Sequence, residues 1–126
     1  KLKVRFLGQI NNNDLPNLLS RYILYVTTSK IEGSPKSIME AMSVGLPIFG
    51  LKANGLNSLI TNGKTGYLFS DLKNLSNQII KFKKNFNILK NMGSNARKEI
   101  IKNFNLNKNI SYEKEIFEKL INEKKY

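Results

Sequence analysis

Short runs of apolar, β-branched and aromatic residues alternate with segments of helical spacing in the first part of the chain. The runs predict strands, because such residues suit a buried, pleated surface. The predicted strands are residues 3–7, 23–27, 46–49 and 67–69. Helical spacing predicts one helix after Asp14, the expected N-cap, another over residues 36–44 and a short one over residues 56–60. This alternation indicates an α/β fold with a Rossmann-like parallel sheet and flanking helices.

Helical spacing continues without further strands after Asp71, which is the expected N-cap of a new helix. A second helix is predicted over residues 86–103, and a third follows a break at residues 105–109. We expect the apolar stripes of these helices to pack in the core. They are Leu72, Leu75, Ile79, Ile80 and Phe82, then Ile88, Leu89, Met92, Ala96, Ile100 and Ile101, and finally Tyr112, Ile116, Phe117, Leu120 and Ile121. The chain is therefore predicted as a single domain over residues 1–126, with an α/β part over residues 1–70 and a helical C-terminal tail over residues 71–126.

The chain is strongly basic, with 21 Lys and Arg against 9 Asp and Glu and a formal net charge of +12. Such a charge has a simple explanation in lysines on solvated helix faces. It also suits attraction to phosphate-bearing ligands, to anionic lipid headgroups or to nucleic acid. Thirteen of the basic residues lie from Tyr67 onward, which favours a surface role for the charge over a catalytic one.

Cysteine and histidine are both absent. This composition excludes disulfides, thiol catalysis and the commonest general base and metal ligand. No apolar run approaches 18 residues and no signal peptide opens the chain, so the expected location is the cytoplasm. The chain begins with Lys1 and enters a predicted strand almost at once, which suggests a piece of a longer protein.

Residues 29–47 contain the candidate chemistry. They predict the end of a strand, a tight Gly/Pro loop, a short helix and a new strand. Pro35 suits the first helical turn, and Gly45 suits the position just after the helix. The loop directs a helix N-terminus, with its free N–H groups and partial positive charge, toward Glu32. Such a place suits a ligand with anionic phosphates and neighbouring hydroxyls.

Glu32 and Glu40 form an E-x7-E pair, and E-G-x-P, E-A-M and G-x-P occur within the same segment. Together with Val-Arg-Phe-Leu-Gly at residues 4–8 and Asn-Gly-Lys-Thr-Gly-Tyr-Leu at residues 62–68, this ordered set resembles retaining nucleotide-sugar glycosyltransferases of the GT-B fold, family 4 in particular. The resemblance implies that the chain is part of the C-terminal, donor-binding domain of that fold.

The resemblance also implies roles for single residues. Glu40 would bind the ribose of the donor nucleotide, and Glu32 would act as the catalytic residue, contacting the donor sugar beside its anomeric carbon. The donor sugar and diphosphate would be bound by Gly33, Ser34, Pro35, Lys36 and Ser37, and the nucleotide base by Gly8 and Gln9. Neither a metal nor a cofactor is implied, because the nucleotide diphosphate sugar is the substrate. We expect Gly8 and Gln9, residues 29–35 and residues 50–55 to form one cleft at the carboxyl edge of the strands.

Each of these residues also has a structural explanation. Glu40 suits an exposed helix acid, Glu32 an acid that caps the following helix, and Gly8 the end of a strand. Ser58 stands where the family's G-x-x-E-x-I pattern has an acid, which leaves the role of that position open.

The complete protein would transfer a sugar, with retention and without a metal, from a nucleotide diphosphate sugar to a glycan, lipid-linked or small-molecule acceptor. The resemblance places the acceptor in an N-terminal domain upstream, so this chain alone is expected to be inactive. Peripheral contact with the cytoplasmic face of the membrane would suit a lipid-linked acceptor, and no nucleic acid is expected. The alternative is a basic α/β module that binds an anionic membrane or nucleic acid without catalysis.

Overall fold

A computed structural model of the chain describes residues 3–30 and 35–123. Within these ranges the chain forms three strands and five helices. In order, they are α1 (Leu15–Leu19), β1 (Tyr25–Thr27), α2 (Lys36–Ser43), β2 (Ile48–Leu51), β3 (Gly66–Phe69), α3 (Leu72–Phe82), α4 (Phe86–Asn103) and α5 (Leu106–Glu123).

The sheet is parallel, with the order β1-β2-β3. All four residues of the central strand β2 are buried, as expected for a strand with helices on both faces. Strand β3 approaches β2 closely at Gly66. Any larger residue at this position would bring its Cβ into collision with the carbonyl oxygen of Ile48. The predicted Rossmann-like α/β fold is confirmed.

Two apolar clusters form the core, one on each face of the sheet, since successive residues of a strand point to opposite sides. The first joins α2 to the sheet through Ile38, Ala41, Met42 and Ile48. In the second, the ring of Phe49 packs edge-on against the rings of Tyr67, Phe69 and Phe82, at centroid distances of 5.3–5.8 Å. Helix α4 contributes to both, with Ala96 and Ile100 in the first and Leu89 and Met92 in the second.

Two predicted elements of the N-terminal half are wrong. Residues 3–7 form no strand, and Val4 and Phe6 are largely exposed. A strand needs a hydrogen-bonded neighbour, and the β1-β2-β3 ladder does not include this segment. Residues 56–60 form turns instead of a helix. The amides of Leu59 and Ile60 both donate to the carbonyl of Leu56, and no second helical turn follows.

The two expected N-caps differ. The Asp71 side chain accepts from the backbone N–H of Asn74 at 2.8 Å, so this cap is confirmed. Asp14 lies at the N-cap position of α1, but its side chain makes no capping hydrogen bond. The predicted N-cap position of Asp14 is therefore confirmed, although its side chain does not cap the helix.

Helix α4 has the predicted bounds, and Leu75, Leu89, Met92, Ala96 and Ile100 are buried as predicted. The prediction that the whole stripes pack in the core is wrong for the positions that are exposed. These are Leu72, Ile80, Ile88, Ile101 and the entire stripe of α5, which has no buried residue. The pattern shows that one face of a helix is apolar, but it does not show that another element covers it. No described helix is both long and apolar enough to span a bilayer.

Candidate functional site

The candidate site begins where α2 begins. Glu32, Gly33 and Ser34, three of the predicted site residues, lie outside the described residues. Pro35 is buried at the N-cap, one position before the first helical turn, and its carbonyl accepts from the amides of Ile38 and Met39, both at 3.0 Å. Lys36 and Ser37 are exposed and occupy the first two helical positions, where backbone N–H groups lack intrahelical partners. The predicted diphosphate-binding residues that are described thus lie at a helix N-terminus.

Helix α2 is fixed at its other end. The amide of Leu46 donates to the carbonyl of Ala41 at 3.0 Å, and that of Gly45 donates to the carbonyl of Met42 at 2.9 Å. Gly45 has φ +85°, so this is a Schellman cap with glycine in the left-handed conformation. The predicted end of the helix at Gly45 is confirmed.

Helix α4 holds this end of α2 in place. The Arg97 guanidinium donates to the carbonyl of Ser43. Gly93 lies so close to Gly45 that a Cβ at Gly93 would collide with the Gly45 carbonyl oxygen. Both contacts fix the direction of α2 and therefore the position of every side chain on it.

Glu40 lies on the second turn of this fixed helix, facing α1. Its side chain is 33% exposed, and Oε1 is 3.9 Å from Nζ of Lys36. That distance is longer than a hydrogen bond, so Lys36 does not use the hydrogen-bonding capacity of the carboxylate oxygens. Glu40 lines a hollow of about 60 Å³ together with Asn12 and Pro16. The carboxylate is thus fixed by the helix and accessible to a ligand.

Gln9 lies in a different hollow, of about 420 Å³, which it lines with Asn11, Asp14 and Arg21. Helix α1 separates the two hollows, because Pro16 and Leu19 line the hollow of Glu40, whereas Asn17 and Leu18 line that of Gln9. Gly8 has φ +67°, and a Cβ added at Gly8 would meet none of the described residues within 4 Å. The described residues therefore do not bring Gly8 and Gln9 together with Glu40 in one cleft.

Asn12 lines the same hollow as Glu40 and was not among the predicted site residues. It belongs to the Asn-Asn-Asn run at residues 11–13, immediately before Asp14. Three successive asparagines before a helix N-cap are a signal for a polar loop. Their position beside α2 follows only from the packing of α1 on α2.

Ser58, which stands in place of the family's acid, has a local role. Its Oγ donates to the carbonyl of Gly55 at 3.0 Å and closes a turn. Among the described residues, no group of three or more His, Cys, Asp and Glu could hold a metal ion.

The sequence model of the family described as "Glycosyl transferases group 1" matches residues 1–99. The chain is 33% identical, over 92% of its length, to the UDP-Gal:alpha-D-GlcNAc-diphosphoundecaprenol alpha-1,3-galactosyltransferase of Escherichia coli, of which it covers 30%. It is 31% identical, over 91% of its length, to the N-acetyl-alpha-D-glucosaminyl L-malate synthase of Bacillus anthracis, of which it also covers 30%. The chain therefore spans about 30% of the length of the curated relatives that it matches.

The fold is also similar to a solved structure, that of Anabaena HepE in complex with UDP and glucose. The TM-score is 0.78 at 27% identity, and the match covers 94% of this chain and 32% of that one. The resemblance to GT-B glycosyltransferases is thus confirmed by sequence and by structure. The chain therefore belongs to the family of glycosyl transferases group 1.

Proposed function

We propose that the chain forms the donor-binding part of a retaining glycosyltransferase of family 4, which transfers a sugar from a nucleotide diphosphate sugar to an acceptor. The observation that carries this proposal is the family match over residues 1–99, which includes the E-x7-E pair of Glu32 and Glu40. The Escherichia coli relative is named for UDP-Gal, and HepE was solved with UDP and glucose. Uridine diphosphate sugars are therefore the first donors to test.

In this proposal Glu40 binds the ribose. An ionised carboxylate accepts two hydrogen bonds, which suits the two neighbouring hydroxyls of a ribose. Support comes from the accessible carboxylate, from its attachment to a helix fixed at the C-terminal end, and from Asn12 in the same hollow. The Asn12 amide would supply a further donor or acceptor to the nucleoside.

The diphosphate would bind at the N-terminus of α2. Free N–H groups of Lys36 and Ser37 and the positive end of the helix dipole would take up the charge that develops on the leaving group, without a metal. Pro35 has no N–H to donate. Glu32 would contact the donor sugar beside the anomeric carbon, with Gly33 and Ser34 next to it. Gly8 and Gln9 have no part in this arrangement, because α1 separates the hollow of Gln9 from that of Glu40.

The acceptor would be held by residues outside this chain. The two curated relatives are named for a diphosphoundecaprenol-linked and a malate acceptor, so lipid-linked and small-molecule acceptors both belong to the proposal, together with glycans. The reaction would take place in the cytoplasm.

The test is the binding of UDP, GDP, ADP and their sugar conjugates to the chain and to Glu40→Ala, measured by ligand-observed NMR. Hydrogen bonds to charged groups contribute about 1.5–3 kcal/mol each, so the substitution should weaken binding by about 10-fold to 100-fold. Glu40→Gln keeps one acceptor oxygen, so its nucleotide affinity should lie between that of the unchanged chain and that of Glu40→Ala. Saturation should be greatest on the ribose and on the base of a single nucleotide.

The matched control is Glu118→Ala on α5. It removes the same side chain and the same type of ion pair, since Glu118 lies 3.8 Å from Lys114 one helical turn away. Its nucleotide affinity should equal that of the unchanged chain. Equal weakening by both substitutions, or binding that Glu40→Ala leaves unchanged, would contradict the role of Glu40.

A further inference from the structure

A third hollow, of about 310 Å³, lies where α2 ends and α4 begins. Tyr22 and Ile23, which precede β1, line one part of it, and Phe86 and Lys90 of α4 line another. Val44 borders both this hollow and that of Glu40. The hollow is therefore next to the candidate donor site but shares none of its predicted residues.

Apolar side chains are exposed around this hollow. Tyr22, Ile23 and Phe86 are each about half exposed, although large apolar groups are usually buried. Ile80 of α3 and Ile88 of α4, which lie close in sequence to Phe86, are also exposed. An exposed apolar patch of this kind is typical of a surface that contacts a partner or a membrane.

The segments that line this hollow before β1 and at the start of α4 are basic. Residues 15–30 and 72–98, which include Tyr22, Ile23, Phe86 and Lys90, contain no Asp or Glu. The second of these segments has seven basic residues, namely Lys73, Lys81, Lys83, Lys84, Lys90, Arg97 and Lys98. Lys83 and Lys84 connect α3 to α4 and come just before Phe86. Lysines interleaved with exposed aromatic and aliphatic side chains suit the interface of a bilayer, where the apolar groups enter and the lysines meet anionic headgroups.

Helix α5 provides the contrast within the same chain. It also exposes an apolar face, but it has three lysines against four glutamates. Without net positive charge, this face gains no electrostatic attraction to anionic lipid. The basic surface around Phe86 is therefore distinguished by charge and not by exposed apolar area alone.

We propose that Tyr22, Ile23, Lys83, Lys84, Phe86 and Lys90, here called the basic corner, bind the surface of an anionic lipid bilayer. Nucleic acid also attracts lysines, but it would not use the exposed aliphatic groups of Ile23, Ile80 and Ile88, whereas the apolar boundary of a bilayer would. The contact would hold the chain at a membrane and leave Glu40, one helical turn from Val44, free to bind a donor.

The first test uses single tryptophans, because the chain has none of its own. Phe86→Trp reports on the basic corner and Phe117→Trp on α5, at positions that are 54% and 64% exposed. Vesicles of phosphatidylcholine with phosphatidylglycerol should shift the emission of the first variant to shorter wavelength and leave that of the second unchanged. A shift at position 117 instead, or an equal shift with phosphatidylcholine alone, would overturn the proposal.

The second test removes charge. Each lysine near an anionic surface strengthens partitioning about fivefold, so replacing Lys83, Lys84 and Lys90 by Gln should lower vesicle binding on the order of 100-fold. The same replacement of Lys108, Lys114 and Lys119 on α5 is the matched control and should have little effect. Circular dichroism spectra of both triple variants should match that of the unchanged chain, since all six lysines are exposed.

Two results of the vesicle assay would overturn the proposal. One is an equal loss of binding in the two triple variants, because a general effect of net charge would then explain the attraction. The other is tight binding of a single-stranded RNA oligonucleotide that depends on Lys83, Lys84 and Lys90, without any binding to the anionic vesicles. Vesicle binding that survives Glu40→Ala would support the independence of the basic corner from the donor site.

Discussion

Asp71 shows how one exposed side chain fixes the start of a helix. The backbone amide of Asn74 donates a hydrogen bond to the Asp71 carboxylate. This bond is the main reason why the pKa of the carboxyl lies below its ordinary value of 3.8. Because folding lowers the pKa, the carboxylate stabilises the fold above the unfolded pKa. The contribution shrinks as the pH falls below that value and is lost once the pH passes the folded pKa.

We therefore expect Asp71→Ala to unfold at a lower urea concentration than the unchanged chain at pH 7, because the first turn of α3 loses its cap. This difference should shrink as the pH is lowered below 3.8. Asp71→Ser keeps an oxygen that can accept the Asn74 amide but does not titrate, so it should retain most of the stability at pH 7. A gap between Asp71→Ala and the unchanged chain that stays constant from pH 7 to pH 2.5 would contradict the linkage.

Asp71 and Asp14 look alike in the sequence, and only the backbone separates them. The residue at an N-cap has extended dihedral angles, which place its side chain near the amide two or three residues on. Asp71 has φ −150° and ψ 164°, whereas Asp14 has φ −91° and ψ −19° and is already in a helical conformation. The residue type was therefore sufficient to predict the position of both helix starts but not the capping bond.

At the scale of elements, the contact between Gly45 and Gly93 determines how α2 lies on α4. Gly93→Ala would place a Cβ against the Gly45 carbonyl and force the two helices apart. We expect a loss of about 1–3 kcal/mol in the free energy of unfolding, as for other overpacked positions. Ser94→Ala, at the exposed neighbouring position on the same helix, should change it by less than about 0.5 kcal/mol.

Urea unfolding measures both variants, and nucleotide binding measures the consequence for the site. Because α2 positions Glu40, Gly93→Ala should also weaken the proposed nucleotide binding under conditions in which the protein is still folded. A Gly93→Ala variant as stable as Ser94→Ala would contradict the close approach of the helices.

Elements with local signals could be predicted from the sequence, and those that depend on distant partners could not. Helix α2 ends at a glycine stop and α3 begins at an aspartate, so their bounds follow from neighbouring residues. Residues 3–7 have a strand-like composition, but a strand also needs a hydrogen-bonded neighbour, which composition does not reveal. The contact of Asn12 with the hollow of Glu40 likewise depends on the packing of α1 against α2.

At the scale of the whole molecule, α4 and α5 have the same length and similar apolar stripes but different surroundings. Helix α4 buries Leu89, Met92, Gly93, Ala96 and Ile100 against the sheet and its helices, whereas α5 buries none of its residues. The family match ends at residue 99, within α4. The α/β body therefore includes α3 and α4, and the described part of α5 adds an amphipathic surface to it.

Because α4 has a buried face and α5 has none, replacing leucine by alanine should have different effects on stability in the two helices. Leu89 is 2% exposed, so Leu89→Ala should lower the free energy of unfolding by about 2–5 kcal/mol through lost burial and an internal cavity. Leu120 is 49% exposed, and alanine has the higher helix propensity, so Leu120→Ala should change it by less than about 0.5 kcal/mol. Urea unfolding at several protein concentrations measures both. A large loss at Leu120 that grows with protein concentration would mean that a second copy covers α5 in solution, and a large loss independent of concentration would mean that α5 packs on the body of its own chain.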